Sequence, residues 1–570
     1  MAQTDEIMPA AALGQLDLSY TLQWIASIPR DSPLQYPIDM IEALLETTGM
    51  QEYYPISWLA YLAACGAFGL TMSLTPYRWT WAKHAMSICI GIVWSEWLIG
   101  PSWIIPVLTS LGVWLVLQGM RWAAPLNAAN PARARWWSRI AIACSLCFQV
   151  AVLAVLHVSP GSVPGVEMTY ATTLCQMDLL KRLWSLTFQV YDGCTPRRLE
   201  LEDTMKTSDQ GSKRHLVAKG MLERATVAFP SFVEFMSYAV NPLAMGNAPY
   251  QPIQWYLDAI SGRQWEHLPT KPCVWNRLAG AVRCLVTGAL YTAVHAAWMY
   301  HMPRGFFEGD IGPEPAPVSQ ILRINWWWYV GGFLDTQLGL THFWKLSEGV
   351  AILAGFGWNP DPDSEFDWNR LETTLQLTVM FRVNIQTLLR QWNVRVHEWI
   401  LWNVYYRLPR WNKLHLIGTR VLVGLWHGVG AGYLAFFISS ICLSLAEAEV
   451  LRLAHHRFFR ENEPSFPWAA RTAHHRIKDI AMAYNLLRWI NLITTISYGI
   501  AGYRVHSWDE CYRIFNATYW QGYWSQFVII AMLWAGEYLG LLWEEGKQPS
   551  SGVMEQKKRN GPHELPDTST

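Results

Sequence analysis

Residues 420–445 read RVLVGLWHGVGAGYLAFFISSICLSL, and this stretch decides the class of fold that the chain adopts. Between Val421 and Leu445 it is long and apolar enough to cross a bilayer as a helix, which takes about 20 residues. One ionisable side chain, His427, lies in its first third among glycines. An ionisable group at that depth is costly, so the stretch predicts both a membrane span and a functional site.

The composition of the whole chain favours a membrane protein. The 570 residues are 51% hydrophobic and 15% charged, whereas soluble proteins carry about 25% charged residues. The 34 tryptophans fit a surface that meets lipid, because Trp concentrates at membrane interfaces. The formal net charge is zero and no basic stripe interleaved with aromatic residues occurs, so nucleic acid is not expected as a partner.

Further apolar stretches predict an all-α polytopic membrane protein of about ten transmembrane helices around a central tunnel. Residues 172–191 and 229–245 are apolar but shorter or more mixed, and are expected to be spans, re-entrant helices or buried core. The clearer spans are expected near residues 55–75, 84–119 (two helices broken at IGPSW), 139–158, 277–299, 327–356, 416–446, 482–505 and 521–543.

The chain divides into four parts on these patterns. We expect a partly amphipathic N-terminal segment at 1–54, N-terminal transmembrane helices at 55–165, a functional core at 166–545 and a disordered cytosolic tail at 546–570. Two long linkers are rich in basic residues, and the positive-inside rule therefore predicts that they face the cytosol. They are residues 121–138 and 447–480.

Two histidine pairs raise the question of a metal site. They are His455–His456 and His474–His475 in the second basic linker. Adjacent residues on a helix point about 100° apart, so the two rings of one pair do not readily share an ion. We therefore expect a solvated basic loop and no metal.

A second unusual stretch, LLRQWNVRVHEWILWNVYYRLP at 388–409, is neither a good span nor an ordinary loop. Four polar residues, Asn393, Arg395, His397 and Glu398, lie among tryptophans and valines. This pattern predicts a helix or broken helix that lines a polar cavity. The alternative is an interfacial amphipathic helix anchored by its tryptophans.

The two stretches together resemble a known pair of motifs. QWNVRVHEW (391–399), followed by LVGLWHGVGAGY (422–433), resembles the paired signature of the membrane-bound O-acyltransferases. Four more segments resemble the lysophospholipid acyltransferase branch of that family, in a consistent order over roughly residues 170–540. They are residues 173–193, 229–242, 343–359 and 491–522.

The resemblance implies an acyl-CoA-dependent O-acyltransferase, a multi-pass protein of the endoplasmic reticulum membrane that acylates the hydroxyl of a lysophospholipid. His427 and Asn393 would form the reaction centre. Acyl-CoA is expected as a co-substrate, with no cofactor beside it. The side chains expected to contact this co-substrate are Trp392, Arg395, His397 and Trp426.

The residue types of the implied reaction centre suit the chemistry. A desolvated imidazole is expected to stay neutral and to accept the proton of an acceptor hydroxyl, because burial disfavours its charged form. The amide of Asn393 would orient the acyl carbonyl and stabilise its oxyanion, or hold the imidazole in place. The alternative for His427 is a neutral ring hydrogen-bonded to a neighbouring helix.

Charged residues near these segments leave two interpretations open. Arg390, Arg395, Arg407 and Arg410 are expected either to meet the phosphates of CoA or to anchor the segment at the membrane interface. Lys345 and Glu348 stand at i,i+3 spacing, which predicts a structural pair inside the membrane.

Two departures from the motifs keep other acceptors open. His397-Glu398-Trp399 resembles the sterol and diacylglycerol acyltransferase branch, and residues 245–256 are diverged and longer than their counterpart. The alternative acceptor is therefore a sterol, diacylglycerol or other lipophilic alcohol. A transporter is disfavoured, because no two halves share similar hydropathy, and an inactive scaffold would tolerate any change of His427.

Overall fold

A computed structural model describes residues 56–542 of the chain, with gaps. The gaps are 159–169, 246–248, 267, 269–273, 302–316, 318–319, 322–323, 325, 327, 361–367, 375, 409–413, 460–467, 469–477 and 504–507. Every regular element in the described ranges is a helix, which confirms the all-α prediction. The predicted N-terminal segment and tail, His474–His475 and Arg410 lie outside the described residues.

The first half of the described chain forms nine α-helices. They are α1 (Ile56–Leu74), α2 (Thr80–Ile99), α3 (Ile104–Ala123), α4 (Pro131–Val158), α5 (Tyr170–Cys194), α6 (Arg197–Thr207), α7 (Lys213–Arg224), α8 (Phe232–Val240) and α9 (Ile253–Ser261). Between α2 and α3 the chain makes a 3₁₀ turn at Gly100–Trp103, so the predicted break at IGPSW is confirmed.

Nine more α-helices follow in the described part of the second half. They are α10 (Val274–His301), α11 (Asp335–Leu353), α12 (Ile385–Trp392), α13 (Val394–Ile400), α14 (Leu414–His427), α15 (Ala431–Leu453), α16 (Lys478–Tyr503), α17 (Trp508–Ala517) and α18 (Gln521–Tyr538). Two π-helical turns, Trp328–Leu334 and Leu401–Tyr405, precede α11 and follow α13.

Several of these helices are suited to lipid. By length and composition, 4 of them can cross a membrane, and they cover Gly100–Ala123, Pro131–His157, Val274–Trp298 and Ala431–Leu453. On α10, the exposed side chains Val282, Val286, Leu290 and Val294 recur every fourth residue and form one apolar stripe. The chain is a multi-pass membrane protein; ten spans and a central tunnel stay predictions.

The stretch at 416–446 is not one helix, as its hydropathy predicted, but two. Helix α14 ends at His427 and α15 begins at Ala431. Between them Gly428 has a φ of 137°, a conformation that L side chains rarely adopt and that an α-helix cannot contain. The prediction was wrong because apolarity sets the environment of a stretch and leaves its backbone continuity open.

The two shorter or more mixed apolar segments, 172–191 and 229–245, are both largely buried in the structure. Residues 172–191 lie in α5, where nearly all side chains are buried, polar ones such as Gln176 and Gln189 included. Residues 229–245 hold α8, which at 9 residues is too short to span a bilayer and whose last six side chains are buried. Both segments are core. Helix α5 contacts α2, α3, α4 and α6 through α9, so it forms the centre of the fold.

Candidate active site

His427 is the last residue of α14, at the helix break. The amide N–H of Gly428 donates to the carbonyl of Gly424 at 3.2 Å, and the chain then leaves the helical path. Within a membrane, a broken helix is tolerated where it is buried in protein or lines a cavity, because lipid cannot satisfy the freed backbone groups. The His427 side chain is half-buried, so part of its surface stays accessible.

Aromatic rings enclose the imidazole of His427. The ring centroids of Trp426, Phe437 and Tyr433 lie 4.6, 5.4 and 6.3 Å from its centroid. These rings are large and apolar, and they offer the imidazole no charge partner. The rings make the surroundings of the imidazole apolar on these sides, and the neutral state of His427 stays a prediction.

A second imidazole, His157, reaches the helix break from the end of α4. Its ring hydrogen-bonds the backbone of Trp426. A Cβ atom on Gly428 would lie 3.1 Å from His157 Nδ1 and 2.9 Å from the ring of Tyr433. Glycine is therefore required at 428 for two reasons, the backbone conformation and the close approach of both rings.

Asn393 separates α12 from α13. Its Oδ1 atom accepts a hydrogen bond from the amide of Val396 at 3.1 Å, so the side chain is the N-cap of α13. Asn is among the best N-cap residues. This bond uses the amide oxygen and leaves the two N–H donors of Nδ2 outside it, on a half-buried side chain. The prediction of a broken helix is confirmed.

Helix α5 brings the two motif segments together. The indole N–H of Trp399, on α13, donates to the carbonyl of Lys181 at 2.8 Å, and that of Trp426, on α14, donates to the carbonyl of Met177 at 3.2 Å. These two carbonyls are one helical turn apart. The indole rings lie 5.9 Å from each other. Trp399 is buried, which rules out an interfacial anchor at this position.

The predicted pair of Lys345 and Glu348 is confirmed and belongs to a larger network. Lys345 Nζ lies 3.1 Å from Glu348 Oε2 and 3.3 Å from Glu372 Oε1. The side chains of Lys345 and Glu348 are each 3% exposed. Cys284 on α10 also donates to Glu348 at 3.4 Å. The network thus connects three parts of the chain inside the core.

This network reaches the backbone beside Asn393. The amide and hydroxyl of Thr373 each donate to Glu348 Oε2 at 3.4 Å. The carbonyl of Thr373 accepts a hydrogen bond from the amide of Val394 at 2.6 Å. Since Val394 follows Asn393 directly, the buried carboxylate fixes the start of α13 through one intervening residue.

The other predicted contact residues lie around these elements. Trp392 packs against Phe333 with ring centroids 5.7 Å apart. Arg395 Nη1 pairs with Glu398 Oε2 at 2.7 Å. His397 is half-buried and lies within electrostatic reach of Arg390 and Arg420. A contact of Trp392, Arg395, His397 or Trp426 with acyl-CoA stays a prediction.

Arg407 takes neither of its two predicted roles. Its guanidinium forms a bidentate ion pair with the carboxylate of Asp192, a residue of α5 whose side chain is 2% exposed. It also lies over the ring of Phe188 at 4.4 Å. Arg407 therefore ties the π-helical turn to α5 and is a structural residue.

Two ionisable residues near His427 were not predicted. One is His157, and the other is Lys181, a buried residue that pairs with Asp178 at 2.5 Å and lies 5.4 Å from the ring of Trp426. A signal for both existed in the sequence: His157 closes the predicted span 139–158, and Lys181 interrupts an apolar stretch. Neither signal indicates which helix the side chain faces.

Comparison with known proteins identifies the family and several relatives of the chain. Residues 166–484 match the membrane-bound O-acyltransferase family, MBOAT. The chain is 22% identical over 329 residues to lysophospholipid acyltransferase 1 of Arabidopsis thaliana, which is 56% of this chain and 66% of that protein. It is 22% identical over 356 residues to membrane-bound glycerophospholipid O-acyltransferase 1 of Mus musculus, covering 60% and 64%.

A shorter match is to the lysophospholipid acyltransferase of Schizosaccharomyces pombe, with 28% identity over 180 residues, 30% of this chain and 34% of that protein. In all three cases the match spans less than two thirds of the relative's length. The matched family segment contains both Asn393 and His427.

Proposed function

The chain belongs to the membrane-bound O-acyltransferase family, and from this we propose that it transfers a fatty acyl group from acyl-CoA to the hydroxyl of a lysophospholipid. Its relatives include lysophospholipid and glycerophospholipid acyltransferases, which supports this acceptor. We place the protein in the endoplasmic reticulum membrane. The basic linkers support an orientation in which acyl-CoA arrives from the cytosol.

The observation that carries the proposal is that both motif segments dock on α5, through the indole N–H groups of Trp399 and Trp426. One segment carries His427, a half-buried imidazole among aromatic rings. The second segment carries Asn393, whose amide oxygen accepts the capping hydrogen bond from Val396 and whose N–H donors take no part in that bond. A base and a pair of N–H donors on segments that share one supporting helix suit acyl transfer to a hydroxyl.

The proposed step needs no covalent intermediate. The acceptor oxygen attacks the thioester carbon while its proton passes to neutral His427. The carbon–sulfur bond then breaks, and the CoA thiolate leaves and takes the proton from the imidazolium. The Nδ2 donors of Asn393 stabilise the negative charge on the carbonyl oxygen. General-base help contributes about 10²–10⁴-fold and one oxyanion donor about 10²–10³-fold.

A second acceptor class is favoured by one feature of the sequence. The triplet His397-Glu398-Trp399 resembles the sterol and diacylglycerol branch. A sterol or diacylglycerol is therefore the second candidate.

The experiment is an acyl-transfer assay on microsomes that contain the full chain. Labelled oleoyl-CoA is offered with a panel of lysophospholipids, a sterol and diacylglycerol. We expect labelled phospholipid from the parent and from His215→Ala, a matched control on α7. We expect a fall of at least about 10²-fold for His427→Ala and Asn393→Ala. Product only from a sterol or diacylglycerol favours the second candidate, and equal product from His427→Ala refutes the proposed base.

A further inference from the structure

Two guanidinium groups pair with a single carboxylate near Asn393, and a third guanidinium lies within electrostatic reach of it. Arg224 Nε lies 3.0 Å from Glu398 Oε1, and Arg395 Nη1 lies 2.7 Å from Glu398 Oε2. Arg370 lies within electrostatic reach of all three. We call these four residues the arginine cluster. Three elements supply it: the end of α7, the loop before α12, and α13.

The cluster has more positive charge than its carboxylate balances. Glu398 compensates one of the three guanidiniums. Among the described residues, the other acidic groups close by compensate the remaining charge only in part: Asp258 pairs with Arg263 at 3.1 Å, and Glu223, which is 57% exposed, lies 4.0 Å from Arg224. Within the described part of the chain, no carboxylate lies at ion-pair distance from Arg370.

This excess charge is partly removed from water. The side chains of Arg224, Arg395 and Glu398 are 19%, 14% and 13% exposed. The Nε atom of Arg395 is buried and has no hydrogen-bond partner among the described residues. A buried donor without a partner is costly, and an uncompensated charge in such a place is costlier. The cluster therefore calls for an anionic partner.

Aromatic rings hold two of the guanidiniums in place. Arg370 lies 3.5 Å from the ring centroid of Trp255, and Arg224 lies 4.3 Å from that of Trp402. A guanidinium stacked on a ring has its plane fixed before a ligand arrives. Planar forks of N–H donors match the oxygens of a phosphate, so phosphate is the anion that this arrangement suits.

The cluster is attached to the backbone that holds Asn393. Arg395 is two residues after Asn393, and Arg370 is three residues before Thr373, whose carbonyl binds the amide of Val394. It also lies on the side of the basic linker 121–138, because Arg224 is followed closely by Phe229, whose ring lies under Arg121 at the end of α3. That side is the predicted cytosolic one.

We propose that Arg224, Arg370 and Arg395 form a binding site for a phosphate ester beside the reaction centre. This site rests on the proposed function, which offers two sources of that group: the phosphates of CoA and the headgroup phosphate of the lysophospholipid. In both cases the ligand phosphate takes up the charge that Glu398 leaves unbalanced. The phosphate would hold the rest of its molecule at a fixed distance from Asn393.

A binding experiment tests the site without turnover. The purified full chain in detergent is titrated with free CoA, with lysophosphatidylcholine, and with monoacylglycerol, which has no phosphate. The variants are Arg370→Gln, Arg370→Lys, and the control Arg198→Gln, which changes an arginine on α6 whose ion-pair partner, Glu202, lies outside the cluster. Arg370 is chosen because its removal breaks no ion pair among the described residues.

We expect Arg370→Gln to weaken binding of one phosphate-bearing ligand about tenfold, with Arg370→Lys weakened less. Monoacylglycerol should bind the Arg370 variants as it binds the parent, and Arg198→Gln should bind all three ligands as the parent does. Loss for CoA alone assigns the site to the acyl donor, and loss for lysophosphatidylcholine alone assigns it to the acceptor. Unchanged affinity for both, or an equal loss for monoacylglycerol, overturns the proposal.

Binding and acyl-transfer measurements together distinguish failure of the phosphate site from failure of the proposed function. A parent protein that binds CoA through Arg370 but acylates no member of the acceptor panel contradicts the proposed function and leaves the site standing. A parent that acylates lysophospholipid, with Arg370→Gln equal to it in binding and in KM for both substrates, contradicts the site alone. If Arg370→Gln unfolds, Arg370→Lys and Arg395→Gln take its place.

Discussion

The two halves of the candidate site are held by different forces. Around Asn393, charge and hydrogen bonds fix the geometry, through Glu348, Thr373 and the amide of Val394. Around His427, shape fixes it, through the glycine break and the enclosing aromatic rings. The asymmetry fits the two roles: a donor must point in one direction, whereas a neutral base must be kept from charge and water. Substitutions that keep the shape of a side chain but remove its charge or donors should therefore impair the surroundings of Asn393. Substitutions that change volume should impair the surroundings of His427.

The largest expected effect is on the charged half. Glu348→Gln keeps the shape of the side chain but removes a buried charge, and breaking a buried ion pair costs about 3–5 kcal/mol. We expect a clearly lower unfolding temperature in detergent. The matched control is Glu372→Gln, whose carboxylate also contacts Lys345 but is 21% exposed, and which should cost roughly 1 kcal/mol or less. Equal losses for the two variants would show that Glu348 stabilises the protein no more than the more exposed Glu372 does.

The second prediction separates the two uses of the Asn393 side chain. Asn393→Asp keeps an oxygen that can cap α13 but removes both N–H donors, so acyl transfer should fall about 10²–10³-fold. Its unfolding temperature should match that of the parent, because Asp is as good an N-cap as Asn. Asn393→Ala should lose about 1 kcal/mol of stability in addition. Full activity in Asn393→Asp would mean that the amide serves as a cap and nothing more.

The third prediction concerns the volume at the helix break. Gly428→Ala introduces a Cβ at a φ of 137° and between two rings, a strain of about 1–3 kcal/mol. We expect a lower unfolding temperature and reduced acyl transfer. Gly418→Ala is the control, since its Cβ would find its nearest neighbour, Leu408, at 3.6 Å inside a helix. That change should be neutral or stabilise by up to about 1 kcal/mol.

The smallest expected effect is at His157. His157→Gln weakens a hydrogen bond to the backbone of Trp426, worth about 0.5–1.5 kcal/mol, so acyl transfer should fall by about tenfold or less. His215→Gln, whose ring contacts the carbonyl of Met205, should have no effect. A loss as large as that of Asn393→Asp would instead make His157 a part of the reaction centre.

Particular residues show how far sequence reasoning reaches. The pairing of Lys345 with Glu348 was predictable because their spacing places both on one helical face. Their hydrogen bonds to Thr373 were not predictable, because Thr373 lies in a loop whose sequence has no helical periodicity. In the same way, the hydropathy of 416–446 predicted a membrane setting, whereas the break at Gly428 depends on one backbone angle.

The sequence by itself determined the class of protein, the helical character of the chain, the family and the two residues of the candidate reaction centre. These follow from local composition, from spacing along one helix and from motifs that are read in order. Only the tertiary structure decided that Trp399 and Trp426 dock on carbonyls one turn apart on α5, that Asp192 engages Arg407, and that Arg224 and Arg395 share Glu398. Such contacts join residues far apart in the chain. They depend on how the helices pack against one another, which local sequence patterns do not indicate.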